Sequence, residues 1–513
     1  MTMETETPRT PRRAARALPR AALYAAMLAA VPVSSGAFDV NYEIGLAARH
    51  SDNIRLTEFD ETSDTVIGPL LRLEASHESS RVQFAARGGA QYQHYLNDTF
   101  DDEVRGTFSG RLNWEILPDR LDFVVQDYLT RQPVNELEPR TPANEQQANI
   151  LVLGPSLHAR FSPRTRGQLD LRFTDSYAEQ DEGFNGNRYD ATARFVHRMR
   201  PTRTVSLNLH AGRTDFDEYN LFAVAPIVVP PGSGGPVLID INDPLCQSPP
   251  PVAPSPPMAV SGPGMENSPV IIIDPTDPNR PSCADALRTR DYDLYDGYVR
   301  YEADRRRLDT DISLGYSRLK SRATGRYESE PLFRADITLQ ATGRSGFTLQ
   351  LRNQLLDATQ GLIESSQVFE GDMFDQLRYL DTSVRPNPYR ERTARLRYRL
   401  AGDRTVATVT PYARRVRYID GFVPSENRRG VFVGVEHRLR PRLDLSVQAG
   451  AENREYTNLA REDDNLVVGV GLSNRFTRNW TGRVELQHVE RDSSALGRDY
   501  KANAVMVSFT YRR

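Results

Sequence analysis

Long apolar runs are missing from this chain. Outside AALYAAMLAAVPV (21–33) no stretch approaches the roughly 18 consecutive apolar residues that a membrane-crossing helix needs, so no helical span is expected. Lysine is almost absent: Lys320 and Lys501 are the only ones, and the positive charge is otherwise arginine. Cysteine stops at Cys246 and Cys283, which excludes a disulfide-dense scaffold and any C-x-x-C centre. A formal net charge of -3 gives nucleic acid no electrostatic hold, so no nucleic-acid partner is expected. There is no G-x-S-x-G elbow, no H-E-x-x-H and no P-loop, and the 8 histidines stand singly. No enzyme, metal or cofactor is therefore expected. Mean hydropathy is -0.56, which reads as soluble. It does not exclude a transmembrane barrel, where only alternate residues must be apolar.

What is present is alternation. In HRLRPRLDLSVQAG (437–450), Leu443, Leu445, Val447 and Ala449 alternate with Asp444, Ser446 and Gln448 after a short Arg-Pro-Arg turn. Period two is the strand period, and the turn makes the stretch a hairpin. VRGTFSGRLNWEIL (104–117) is cleaner still, with Val104, Phe108, Leu112, Trp114 and Ile116 against Arg105, Thr107, Ser109, Arg111, Asn113 and Glu115. The rhythm runs from FDVNYEIGLAARH (38–50) to the C-terminus. The connections alternate as well. Short turns such as SPRTR (162–166), RPTRT (200–204) and AGDRT (401–405) alternate with longer acidic links such as LNDTFDDE (96–103) and YTNLAREDDN (456–465). The chain is accordingly predicted to be all-β: a single antiparallel transmembrane β-barrel of about 18–20 strands, short turns on the periplasmic side and long links outside.

The domain reading follows. Residues 1–37 form a signal peptide: Arg9, Arg12, Arg13, Arg16 and Arg20 precede the 21–33 apolar stretch, and Ser35-Gly36-Ala37 places cleavage near Ala37. Residues 38–513 are the barrel. No plug segment precedes the first strand, which argues against an energised receptor. Within the barrel, 218–290 is a long proline-rich extracellular loop, since proline at that density blocks ladder pairing. Cys246 and Cys283 both lie in it and are a disulfide candidate after export. Tyr92, Tyr95, Trp114, Tyr128, Tyr301, Tyr316, Tyr398, Tyr412, Tyr418, Trp480 and Tyr511 are expected in aromatic girdles.

The polar face carries the functional signal. In RTARLRYRLAG (392–402), apolar Ala394, Leu396, Tyr398 and Leu400 would face lipid, leaving Arg395, Arg397 and Arg399 in the pore. Arg415 and Arg417 on the next strand, and Arg438 and Arg440 on the one after, complete the expected pore lining. Interior arginine favours anions. The alternative is an arginine–carboxylate ladder using Glu436, Asp444, Glu452 and Glu485.

YEIGLAARHSDNIRL (42–56), the Arg-Pro turns and the C-terminal VMVSFTYRR (505–513) carry a resemblance. The chain resembles a bacterial outer-membrane β-barrel porin family associated with exopolysaccharide or capsule systems, exosortase-type ones among them. The resemblance implies a Gram-negative outer-membrane pore or accessory barrel in polysaccharide export. Its implied surroundings are outer-membrane lipid, lipopolysaccharide, the barrel assembly machinery and polysaccharide-export components. Its proline-rich loop and the arginines after Tyr511 depart from a compact barrel of this kind. Two further readings stay open: a structural or adhesive surface protein with a plugged lumen, and a barrel hydrolase assembling Ser, His and Asp from separate strands.

Overall fold

The computed structural model describes residues 38–180, 184–217, 291–322, 325–357, 359–361, 387–419 and 424–513, together with a small strand pair, Ile227–Val228 against Val237–Leu238. The leader 1–37, the rest of the 218–290 loop and both cysteines lie outside the described residues.

Among the described residues, one 20-stranded antiparallel sheet forms the body of the protein. Its strands are β1 (Asp39–Ser51), β2 (Asp64–Glu78), β3 (Val82–Tyr95), β4 (Glu103–Leu117), β5 (Leu121–Pro133), β6 (Glu145–Arg160), β7 (Thr165–Ala178), β8 (Gly186–Arg200), β9 (Arg203–Phe216) and β10 (Tyr292–Arg305). They continue as β11 (Leu308–Ser321), β12 (Tyr327–Gln340), β13 (Ser345–Leu356), β14 (Tyr389–Ala401), β15 (Thr405–Tyr418), β16 (Glu426–Arg440), β17 (Leu443–Tyr456), β18 (Arg461–Arg475), β19 (Trp480–Ser493) and β20 (Tyr500–Arg512). Each pairs with the next in sequence, and β1 pairs with β20 from Glu43 opposite Arg512 to Ser51 opposite Ala504, so the sheet closes on itself. Closure leaves no unpaired edge, which a bilayer does not tolerate. The Ser51-Asp52-Asn53 stretch pins the seam. The Asp52 carboxylate accepts from the Asn503 backbone N–H and Nδ2 at 2.7 Å each, and Asn53 Nδ2 donates to the Lys501 carbonyl at 3.0 Å.

Alternation decides which residues face out. Leu46 is 66% exposed and lies opposite Phe509; Leu486 is 54% exposed and lies opposite Val505. Val431 and Val433 continue the row opposite Ala451 and Ala449. A continuous belt of bare apolar side chains is a liability in water. Around a closed barrel it is the lipid face. Leu486→Arg is expected to cost about 2–4 kcal/mol of folding stability, because it sits mid-strand on that face. Its lumen-lining neighbour Gln487 should accept arginine at under about 1 kcal/mol. Urea-titrated folding into liposomes, followed by Trp114 and Trp480 fluorescence, checks both; equal costs would place the lipid face wrongly.

Two hairpins leave the wall at the long-link end. β4 and β5 pair only as far as Phe108 opposite Leu129, while β5 and β6 pair on to Pro133 opposite Glu145. β12 and β13 stop at Phe333 opposite Asn353, while β13 and β14 continue to Leu356 opposite Tyr389. The freed tips turn inward. Glu145 of the first tip meets Arg105 at 3.2 Å, and Arg390 of the second meets the buried Glu330 of β12. The apolar core forms around them, inside the barrel: Ala148, Ile150, Val152, Ala178 and Phe184 on one side, and Tyr292, Leu294, Leu319 and Leu355 on the other.

Candidate functional site

The lumen below and beside these tips holds a cavity of about 910 Å³. Its walls come from β1–β5 and β16–β20; its lining includes ten arginines and six glutamates, and Glu103, Glu426 and Glu452 behind it pair with Arg105, Arg428 and Arg454. Most of the guanidinium groups are partnered. Arg72 meets Glu43 at 3.1 Å, Arg87 meets Glu74 at 3.2 Å, Arg131 meets Glu145 at 3.0 Å, and Arg454 meets Glu452 at 2.9 Å. Arg428, almost fully buried, meets Glu426 at 2.7 Å. Around this cavity an arginine–carboxylate ladder is present, built on Glu43, Glu74, Glu145 and Glu426 and sharing only Glu452 with the carboxylates named from the sequence, and it leaves two arginines without a salt bridge.

Two lumen cations have no carboxylate within salt-bridge distance among the described residues: Arg49 on β1 and Arg491 on β19. Arg491 Nε donates to Asn465 at 3.0 Å and its guanidinium lies 5.1 Å from the Tyr500 ring, yet its Nη1 is buried with no hydrogen-bond partner. Arg49 lies opposite Met506 and Arg491 opposite Tyr500 on the shared neighbour β20. At about 3.3 Å per residue those levels are roughly 20 Å apart along the strand. Arg512, at the turn end of β20, adds a third level, with Glu74 at 3.4 Å. Positive groups thus recur at the outer, middle and inner levels of one wall.

The infolded tips brace against distant walls. The β5–β6 tip reaches β17 and the β19–β20 link: Tyr456 Oη donates to the Glu136 carbonyl at 3.5 Å, and Arg498 pairs with Glu138. The β13–β14 tip places Asp357 against β8 and β10. Arg188 and the Tyr292 hydroxyl both donate to the Asp357 carboxylate, and the Gln360 backbone N–H donates to it at 2.7 Å. Arg188 also holds Asp190 at 2.8 Å, and His210 bridges Asp190 at 2.8 Å to Asp296 at 3.1 Å.

The expected pore-lining residues divide. Arg395 lies opposite Gln350 and Tyr412, Arg397 opposite Thr348, and Arg399 opposite Gly346 and Thr408, all on the inward face of β14. Arg438 is inward near the turn, 3.7 Å from Asp444, and Arg440 sits at the turn itself beyond a register shift. Arg415 and Arg417 are not in the lumen. They share the outward face of β15 with Val409 and Ala413, while Arg414 and Val416 point inward. Val416 packs on Leu356 and Tyr389 of the infolded tip, so at this height apolar residues are needed inside. The same inversion affects the aromatics. Tyr92, Tyr316 and Trp480 are exposed as expected, but Tyr95, Tyr128 and Tyr412 are buried on the inward face. Arg49, Arg428, Arg454 and Arg491 were missed in the sequence, although each falls on the polar phase of its own strand.

Residues 423–513 match a family model described as "Putative beta-barrel porin 2". No curated protein matches the chain. Among solved structures, it is similar to the FrpB iron transporter (F3-3 variant) from Neisseria meningitidis, at 8% identity and TM-score 0.44 over 93% of this chain and 82% of that one. It is also similar to the siderophore receptor PirA from Pseudomonas aeruginosa, at 9% identity and TM-score 0.42 over 94% and 81%. OccK1 (OpdK), also from Pseudomonas aeruginosa, aligns at 9% identity and TM-score 0.37 over 93% and 99%. Likeness at these scores says nothing about what this chain carries.

Proposed function

We propose that the chain is an outer-membrane pore whose lumen passes anionic solutes. The closed barrel, the outward apolar belt and the porin-family match of its last strands support the membrane and pore part of this reading. The observation that carries the anion part is that Arg49 and Arg491, among the described residues, face the lumen without a salt-bridged carboxylate. Fixed positive charge in a confined channel concentrates anions and repels cations. An acidic envelope polysaccharide, the cargo class suggested by the sequence resemblance, is a polyanion and fits the same lumen chemistry. In this reading the mature protein starts near Ala37, reaches the outer membrane through the barrel assembly machinery, and works beside polysaccharide-export components.

The braced hairpin tips favour a second reading, a surface protein with a closed lumen. One measurement separates the two. The refolded barrel in a planar bilayer under a salt gradient should give discrete conductance steps, with a reversal potential displaced toward chloride. A correctly folded barrel that never conducts would leave the closed-lumen reading; cation preference would remove the anion reading.

A further inference from the structure

The arginines that leave the lumen gather on the outer wall. Arg415 stands directly opposite Arg392 on β14, and Arg429 of β16 lies opposite Ala413, two residues below Arg415 on the same face. Arg417 extends the group upward and stands opposite Arg390 at the root of the infolded tip, where Glu330 and Glu328 of β12 neutralise Arg390. Like charges directly opposite on one sheet face are destabilising, so this is an arrangement that folding alone does not favour.

The group is poorly neutralised. Among the described residues Arg415, Arg417 and Arg429 have no carboxylate partner. Arg415 Nε and Arg417 Nη2 donate to Asn427 Oδ1 at 3.0 and 3.1 Å, and Arg429 Nε donates to Asn453 Oδ1 at 3.3 Å. Arg392 has only Glu330, at 3.7 Å, and its side chain is half exposed. The same amides donate on to Glu455 at 2.8 Å (Asn427) and to Glu462 and Asp464 at 2.7 and 2.8 Å (Asn453), so they stand between the guanidinium groups and the acidic sector and no ion pair neutralises the arginines directly.

Position identifies the occupant. The cluster sits at the long-link end, immediately above Val409, Ala413, Val431 and Val433 of the lipid-facing belt. That is the level of the outer-leaflet headgroups if the membrane reading holds, and this inference rests on that reading. The next outward sector, on β17 and β18, carries Glu455, Glu462 and Asp464, so the positive charge is confined to β14–β16. Arginine is the side chain best shaped for bidentate phosphate contacts. We propose that the outer wall of β14–β16 is a binding site for a phosphorylated lipid headgroup, with the lipid A phosphates of lipopolysaccharide as its occupant.

The test uses the full-length barrel, delipidated in detergent, with fluorescent lipid A as probe. The wild type should bind diphosphorylated lipid A at least about tenfold more tightly than lipid A stripped of phosphate, since charge-assisted contacts are lost. Arg415→Gln/Arg417→Gln/Arg429→Gln should lose about tenfold in affinity for the phosphorylated form while keeping wild-type conductance. Equal binding by the variant overturns the site, and so does equal binding of the stripped lipid. Full competition by millimolar inorganic phosphate would make the ligand a free anion and overturn the lipid assignment. If the triple variant does not show the mobility shift of a folded barrel on unheated gels, Arg415→Gln and Arg429→Gln are measured singly. Each should weaken binding about threefold, and no change in either overturns the site. A barrel that conducts anions but ignores the phosphates sinks this inference alone and leaves the pore reading standing.

Discussion

Asp357→Ala is expected to raise single-channel conductance at least about twofold without preventing barrel assembly. Asp357 is 1% exposed and takes donors from Arg188, Tyr292 and the Gln360 backbone N–H. Removing it leaves Arg188, itself 4% exposed, with Asp190 alone, and strands the Tyr292 hydroxyl among apolar neighbours. Breaking one partner out of a buried charge pair costs about 3–5 kcal/mol. The barrel wall does not have to absorb that cost, because its ladder between β8, β9 and β10 is independent of Asp357. The inward docking of the β13–β14 tip absorbs it instead, since β13 has already left β12 at that level. A loosened tip widens the lumen. The double variant Arg188→Met/Asp357→Leu removes both charges of the pair but leaves Asp190 to His210 and the Tyr292 hydroxyl without its carboxylate acceptor, so conductance should return only partway toward wild type. If Asp357→Ala folds and conducts like wild type, the tip does not constrict the pore.

Much of the barrel was legible because the bilayer imposes a simple code. Between the turns and the outer rim, lipid demands an apolar side chain at every second position, and Leu396 and Leu400 on β14 or Val431 and Val433 on β16 obey it. The turn chemistry of RPTRT and AGDRT then sets the hairpins, and closure follows from the strand count. The code fails where the strands rise above the belt. There the outward face meets headgroups and water, so Arg415 and Arg417 belong outside. The inward face meets infolded hairpin tips, so Val416, Leu294 and Ile150 belong inside. An apolar residue therefore reads as lipid-facing at mid-strand and lumen-facing near the outer rim. Nothing in one strand's own sequence says where that boundary falls, because it depends on two hairpins abandoning their neighbours.

The site residues were partly legible for the same reason. Arg395, Arg397 and Arg399 lie in the code's domain and fall on the inward face. Arg49 lies there too, but LAARH offers a single arginine beside a histidine, with no run to draw attention. Its standing comes from what surrounds it. Each strand supplies one side chain to that level of the wall, and Met506 of β20 stands between Arg49 and Glu485 of β19, so the nearest carboxylate across the wall attracts Arg49 without forming a salt bridge. That is a property of five or six strands together.

Arg49→Glu should therefore produce the largest change in ion selectivity of any single lumen substitution. It swaps the sign of a mid-lumen charge that no salt bridge holds, beside Glu485. A unit charge about 5 Å from a passing ion in water is worth roughly 0.8 kcal/mol, and reversing it doubles the change. The permeability ratio of chloride to potassium should fall by at least about tenfold, moving the reversal potential toward potassium. Arg49→Gln, which only removes the charge, should lie midway. Arg72→Gln frees Glu43 as it removes a cation, so its selectivity change combines two terms and is a poorer probe. Arg415→Glu changes the same charge on the outer wall, where no ion passes, and should leave the reversal potential where it was. Equal shifts from Arg49→Glu and Arg415→Glu would mean that the measurement reads the charge of the whole mouth and that no anion path runs past Arg49. A shift confined to Arg49→Glu places the path along the wall formed by β19, β20 and β1.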